Sequence, residues 1–403
     1  MPLVDEGHAE LSAAVAPSLL RTMNQRVLLD RLFARGPTTR PQLARDTGLS
    51  QPTVHAALAD LQRAGLARPA GRPETAQGRP AQVYEANPSA GACAAVDIGH
   101  EWLRLVVADL AGNQRSRLDV RNKSRSARGL VTQVSRAVAD ACEAAALPLT
   151  AITHTVIGSP GVFRSQQGRV AYAGNLPGWQ RPGLGEALRA QIGTPLTIDN
   201  DANLAALGEQ HEGAAQGISH FAYLHIGTGV GLGLVIDGQV YRGASGAAGE
   251  IGYIPVAEPP FDRPRNAARG MMEEALAADA VVSYAREAGM TGSLSAASVF
   301  AAARENNPAA LAAVQREAER LSELVATVAA FLDPELIVVG GGVGQNLDLL
   351  EPAMRSRLDQ LTPLRPRLAV GRLGTEAVLR GALATGVAIA REATFTALMA
   401  HDA

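Results

Sequence analysis

Lysine is almost missing from this chain. Lys123 stands alone among 403 residues, so nearly every cation is arginine. Cysteine is scarce as well, with only Cys93 and Cys142. Both lie in apolar stretches and read as reduced core thiols rather than a bridge or a thiolate metal centre. Aromatics make up 4% of the chain against 47% hydrophobic residues, so the core must be aliphatic. No apolar run approaches the ~18 residues that a membrane span needs. The opening stretch MPLVDEGHAELSAAVAPS carries no basic region ahead of an apolar one. No signal peptide and no membrane partner are expected, and a cytoplasmic location follows.

What is present divides unevenly. The length suggests two or three domains. Net charge is only −2, yet residues 18–85 hold ten Arg against five Asp plus Glu. That stretch carries +5, which leaves −7 for the remainder. A basic head on an acidic body suits a reader of double-stranded DNA.

The head shows helical periodicity. Leu19, Leu20, Met23, Val27, Leu28, Leu32 and Phe33 recur at helical spacing, with Gly36-Pro37 ending the helix. Thr39 followed by Gln42 reads as a capping box opening a second helix that ends near Thr47. Gly48-Leu49 makes the turn, and Ser50 caps a third helix with Pro52 in its first turn. Val54, Leu58 and Leu61 should be core. That leaves Gln51, Pro52, Thr53 and His55 on the outer N-terminal face, where a recognition helix meets the major groove. Gln51 suits a bidentate contact to adenine, Thr53 a phosphate, and His55 either. Each alone could be an ordinary solvated residue; the helix–turn–helix spacing favours DNA.

After Gly65-Leu66, the triplets Gly71-Arg72-Pro73 and Gly78-Arg79-Pro80 sit between strand-like ends. They resemble the hairpin of a winged helix, whose Arg72 and Arg79 could enter a minor groove. A proline-rich linker is the alternative. The expected divisions are a tail at 1–17, a winged helix–turn–helix at 18–86 and a linker at 87–91. Two lobes follow at 92–200 and 201–403, with C-terminal helices packing back on the first lobe.

From Ala92 short apolar strands alternate with helices, an α/β pattern. An internal repeat organises it. VDIGHEWLRLVVADLAG from Val96 and LHIGTGVGLGLVIDG from Leu224 align with an offset of 128 residues, matching Gly99 to Gly227 and Asp109 to Asp237. Duplicated strand–turn–strand units are the plan of two-lobed actin-like (RNase H-like) kinases, with a ligand cleft between the lobes.

Seven segments in order make the resemblance specific. They are Asp97-Ile98-Gly99, Gly158-Ser159-Pro160-Gly161, Asn175-Leu176-Pro177-Gly178-Trp179, Asp199-Asn200-Asp201-Ala202-Asn203, Gly227-Thr228-Gly229-Val230-Gly231, Gly246-Ala247-Ala248-Gly249-Glu250-Ile251-Gly252 and Val338-Val339-Gly340-Gly341-Gly342. Together they resemble the ROK family of bacterial sugar kinases and sugar-responsive repressors. The kinases of that family usually lack a winged helix, and its repressors carry one.

The resemblance implies roles. Asp201 matches the kinase general base; a helix cap is the alternative, and the reading that the resemblance favours is a carboxylate that only accepts hydrogen bonds from a sugar. Glu250 and Glu273 match sugar-binding carboxylates, and Asn200 and Asn175 are further sugar candidates. Glu273, followed by Glu274, could instead be a solvated helix residue. Gly99, Gly227, Thr228 and Gly229 match phosphate loops.

Two departures matter. Tyr253, Pro264, Asn266 and Met271 stand where the family places the His and three Cys of a structural zinc, so no zinc is expected. Tyr253 could offer the sugar a hydroxyl. His100-Glu101-Trp102 replace the small residues that follow Asp-Ile-Gly in kinases. A carboxylate ~4 Å from a phosphate costs ~4 kcal/mol at an effective dielectric of ~20, about three decades of affinity. ATP use is therefore not expected, and no catalytic residue is assigned.

The resulting expectation is a transcriptional regulator, a repressor, that binds operator DNA as a homodimer or homotetramer and senses a sugar or sugar derivative. Residues 81–91 would transmit the signal. The alternatives are a sugar kinase with an appended DNA-binding domain and a constitutive DNA-binding protein without a ligand.

Overall fold

The computed structural model describes residues 17–71, 82–164, 169–171, 179, 182–256 and 269–400. Contacts divide the chain into two units. One holds residues up to Gly91 and from Arg391 onward; the other is Ala92–Ala390.

The first unit contains α1 (Pro17–Arg35), β1 (Thr38–Thr39), α2 (Arg40–Thr47), α3 (Gln51–Arg63), β2 (Ala67–Pro69) and β3 (Val83–Ala86). Its sheet runs β1-β3-β2, all antiparallel. Leu28, Leu32, Leu43, Val54, Leu58 and Leu61 form the core. β2 and β3 pair from Ala67↔Ala86 to Pro69↔Tyr84, the frame of a wing. Arg72 and Arg79 lie outside the described residues.

Two expectations are corrected here, and the apolar face of α1 proves only partly covered. The periodic residues of α1 do not all face the core: Leu19, Leu20, Met23 and Val27 are 53%, 48%, 53% and 43% exposed. Periodicity locates an apolar face but does not say what covers it. Thr39 is the N-cap of α2 as expected, but its side chain makes no cap hydrogen bond, and Gln42 is engaged with Asp46 and Arg45 instead of the Thr39 amide. Finally, residues from Arg391 do not belong to a kinase-like lobe. Phe395 is buried in the head core with Leu398 and Met399 against it, and Glu392 pairs with Arg26. The expected linker at 87–91 includes a 3-10 turn, Pro88–Ala90, capped by Asn87.

The second unit repeats one strand plan. Its first sheet uses β4 (Ala92–Ile98), β5 (Trp102–Asp109), β6 (Gln114–Arg121), β7 (Ile152–Ser159) and β10 (Leu196–Asn200). A separate hairpin joins β8 (Val162–Arg164) to β9 (Arg169–Ala171). The second sheet uses β11 (Phe221–Ile226), β12 (Val230–Ile236), β13 (Gln239–Val240), β14 (Leu336–Gly340) and β15 (Leu368–Val370). Strand orders are β6-β5-β4-β7-β10 and β13-β12-β11-β14-β15. In each, the first strand pairs antiparallel with the second and parallel with the fourth. Gly99 and Gly227 occupy the equivalent first turns, as the repeat predicts.

Helices cover these sheets. α4 (Ala127–Ala144) and α5 (Leu184–Ile192) pack on the first, burying Leu130, Val131, Val134 and Val138. Cys93 and Cys142 are both buried and unbridged. α6 (Asp201–Glu212) leaves β10 and packs on β11 and β12. The other face of the second sheet meets α7 (Met271–Leu276), α8 (Ala278–Glu287), α9 (Ala296–Arg304), α10 (Pro308–Leu332) and α12 (Leu347–Leu361), with the short α11 (Gly341–Gly344) at the end of β14. α13 (Ala377–Ala400) ends the described chain. No described helix is long and apolar enough to cross a membrane.

Candidate ligand cleft and DNA-reading helix

In the body, the ends of β4, β10 and β11 and the loops after them enclose a cleft of about 680 Å³. That is ample for a monosaccharide or a larger ligand. Asp97, Asn200, Asp201, Glu250, Tyr253 and Glu273 line it, as do Gly99 and Gly227–Gly229. Asn175 lies outside the described residues.

Backbone geometry places the carboxylates. Gly249 sits at φ +91°, where a Cβ would strike the Leu232 carbonyl, and so sets the position of Glu250. Gly270 sits at φ +88° against the Gly252 carbonyl and starts the helix that carries Glu273. Burial, with Asp201 and Glu273 nearby, pushes the Glu250 carboxyl up to about 7. Glu273 is not a solvated helix residue: it accepts from Val230 N–H at 3.2 Å and Arg269 Nε at 3.1 Å. Burial still raises it, with these donors pulling the other way.

Asn200 rather than Asp201 caps α6. Its Oδ1 accepts from the Ala202 and Asn203 amides at 2.9 and 3.2 Å, and its Nδ2 donates to Gly161 O at 3.1 Å. The expected free amide is thus largely committed, and one N–H remains to offer a ligand. Asp201 is the first helical residue and accepts from Ala202 N–H at 2.8 Å.

Sequence reasoning missed two groups. His225, near the end of β11, lines the cleft beside Asp201. Burial raises the Asp201 carboxyl, and the His225 charge opposes that rise. Burial lowers His225, and Asp201 opposes the fall. The His225 Nε2 lies 2.7 Å from where a Cβ on Gly227 would sit, so the ring backs onto the second glycine loop. The signal was a polar residue two places before a glycine turn. The second group is the Asp97–Arg104 pair, opposed across β4 and β5 at 3.3 Å. Burial pushes Asp97 up to about 7 despite Arg104.

The first loop is braced from behind. Gly99 N–H donates to Trp102 O at 2.9 Å, and Asn122 Nδ2 donates to Gly99 O at 3.0 Å. Glu101 lines the cleft, but its carboxylate pairs with Arg121 at 2.8 Å and is 65% exposed. The full charge penalty expected of it against phosphate therefore does not arise, because Arg121 and solvent screen it. Arg121 also lies 4.3 Å over the Trp102 ring. Of the four positions matched to zinc ligands, Tyr253 and Met271 offer a phenol and a thioether, and Pro264 and Asn266 lie outside the described residues.

In the head, Ser50 caps α3 by accepting Thr53 N–H at 3.3 Å, and its hydroxyl lies 2.8 Å from that of Thr53. Gln51, Pro52 and His55 are exposed and Thr53 is half-buried, so all four lie on the outer N-terminal face of the helix. Several arginines of the head are paired with its own carboxylates. Asp60, 3% exposed, receives Arg21 at 2.7 and 2.8 Å, Gln25 at 2.7 Å and Arg63 at 3.2 Å. Arg68 pairs with Glu85 at 2.7 Å.

Residues 93–386 match the ROK family model. The chain belongs to the ROK family. Residues 28–71 of this ROK protein match the IclR helix-turn-helix domain. It is 24% identical over 390 residues to a xylose repressor of Caldicellulosiruptor bescii, covering 91% of this chain and 96% of that one. It is 35% identical over 230 residues to a glucokinase of Halalkalibacterium halodurans, covering 53% and 68%. Among solved structures, a ROK family transcriptional regulator described as a homolog of the E. coli MLC protein superposes with a TM-score of 0.75 at 22% identity, covering 95% and 98%. A Streptomyces griseus ROK glucokinase, solved with glucose and AMPPNP, gives 0.61 at 27% identity, covering 73% and 99%.

Proposed function

We propose that this ROK protein is a DNA-binding transcriptional repressor governed by a sugar or sugar derivative held in the body cleft. The observation that carries the reading is one chain holding both a capped helix with an exposed N-terminal face and an acid-lined cleft of about 680 Å³. The near full-length likeness to a xylose repressor supports it.

α3 reads base edges through Gln51, with Thr53 and His55 on phosphate or base and Arg72 and Arg79 of the wing in the adjacent minor groove. Two half-sites match a two-fold protein, so a homodimer or a pair of dimers binds the operator. In the cleft Glu250, Glu273, Asp201, Asn200 and Tyr253 meet the hydroxyls of the effector. Buried carboxylates are costly until donors arrive, and a polyhydroxylated ligand supplies them. The effector acts by binding the two states of the body with different affinity. The chain passes between the two units at 91–92 and again at 390–391, and the signal has only these covalent routes. The protein works in the cytoplasm and uses neither zinc nor ATP.

The experiment is operator selection from randomised DNA, followed by gel shifts with xylose, glucose and a wider sugar panel. Selected two-fold sites released by one sugar are expected. Failure to select any DNA sinks the reading. Selected DNA with no sugar raising the melting temperature sinks its sensory half. A second reading, a sugar kinase with a DNA-binding domain, is favoured by Asp201 standing beside the Gly227 loop. ADP release that Asp201→Asn abolishes would establish it.

A further inference from the structure

The apolar stripe of α1 has no partner among the described residues. Leu19, Met23 and Val27 recur every fourth residue, and Leu20 lies beside them, so the four share one face. All are about half exposed, while Leu28, Leu29 and Leu32 on the opposite side are buried. Four half-exposed side chains of these sizes present on the order of 350 Å² of contiguous surface, within the range that marks an interaction site.

We propose that this stripe is where the heads of two copies of the chain meet, α1 against α1 and antiparallel. Pattern and charge both select a second copy. The stripe is symmetric about Met23, with Leu19 and Val27 four residues to either side, so a two-fold axis at Met23 sets Leu19 against Val27 of the other copy. The same axis sets the exposed Asp30 beside the first turn of the second α1. That turn contains no acidic residue of its own, and its free amides favour a carboxylate. Arg26, beside the stripe, is paired with Glu392, which neutralises its repulsion across the axis.

Area sets the strength. Two such stripes bury roughly 700 Å², below the ~1,200 Å² of a stable standard interface. The contact is therefore weak alone and becomes effective when two heads are already brought close, where linkage makes pairing intramolecular. It then fixes the separation of the two recognition helices and so the spacing of half-sites.

The test uses the full chain without DNA, at high protein concentration. Met23→Cys is treated with a short bis-maleimide, whose reach suits helices ~8–10 Å apart. The native Cys93 and Cys142 are buried and leave the new thiol to react. Thr22→Cys, exposed on the same helix but off the stripe, is the control. A cross-linked dimer from Met23→Cys and little from Thr22→Cys is expected. No dimer, or equal yields, overturns the proposal. So does a dimer seen only after removal of residues 2–16, which would mean that the chain's own start covers the stripe. In the DNA arm, Met23→Glu, checked for folding by circular dichroism, should weaken binding to a two-half-site operator about tenfold and leave a single half-site unchanged. Unchanged two-site binding by a folded Met23→Glu also overturns the proposal. A protein that cross-links yet binds no DNA would instead refute the regulatory reading alone.

Discussion

Asp201 and His225 stand together in the body cleft, each opposing the shift that burial imposes on the other. A carboxylate with such a neighbour is not the isolated base that the kinase resemblance implies. Replacing His225 with Gln removes the neighbour that opposes the rise burial imposes on the Asp201 carboxyl. Effector affinity at neutral pH should then fall about tenfold, with DNA binding intact, as read by calorimetry and gel shift. Unchanged affinity would exclude His225 from the site.

Ligand binding should depend on pH. Glu250 and Asp97 both titrate near 7 in the free protein. Below that pH they hold protons and lose capacity as acceptors for sugar hydroxyls. Effector affinity is expected to rise between about pH 6 and about pH 8, with protons released on binding. Calorimetry in buffers of different ionisation enthalpy checks this. The same shifts act on stability with the opposite sign. A carboxyl whose folded pKa is raised stabilises fully below its unfolded value of about 4.3, and that contribution is lost as pH climbs towards the folded value. The ligand-free body should melt lower at about pH 8 than at about pH 5.5.

Glu317 is fully buried on α10, and neither carboxylate oxygen has a hydrogen-bond partner. Burial drives its pKa well above the ordinary range. Glu317→Leu should stabilise the body by ~1–3 kcal/mol in urea titration, since it removes an unsatisfied buried group at similar volume. The gain should be larger at alkaline pH, where the cost of ionisation is added. A destabilised variant would show that the carboxyl has an internal partner.

Asp60 joins α1 to α3 through Arg21, Gln25 and its own neighbour Arg63. Asp60→Ala should cost the head ~1–3 kcal/mol by stranding those donors. Arg21 hydrogen bonding holds the Asp60 carboxyl below its ordinary value. Its contribution is therefore present above the unfolded value of about 3.9 and lost as pH falls through the folded one. Acid melting followed by head-specific proteolysis reads this, and an unaltered acid transition in the variant would contradict it.

The recognition residues separate by function. Gln51→Ala should change the preferred half-site base by ~1–3 kcal/mol. Arg79→Ala should weaken binding with altered preference for flanking A·T pairs. Glu250→Ala should bind operator normally and no longer respond to the effector. Loss of operator binding in Glu250→Ala would assign that residue to folding instead.

Much of this was legible without coordinates. The spacing from Gly48 to Leu61 specified a turn and a capped helix, because local hydrogen bonding by Ser50 and the period of Val54, Leu58 and Leu61 admit few alternatives. The repeat that pairs Gly99 with Gly227 announced two equivalent sheets. The capping box at Thr39 did not close, because Gln42 bonds Asp46 and Arg45 along its own helix instead of turning back to the Thr39 amide. Glu209 gave no hint of its role. It is buried and accepts from the amides of Ala214, Arg372 and Leu373, the last of them 164 residues away from it in the chain.

The order of the residues alone determined the family, the element pattern and the candidate acids, since periodicity, glycine turns and short motifs act over a few residues. Tertiary structure alone decided which side of α1 is covered, which arginines are spent inside the head, and that His225 joins Asp201. Those are matters of burial and of charge at close range between distant segments, and linear spacing carries no record of either.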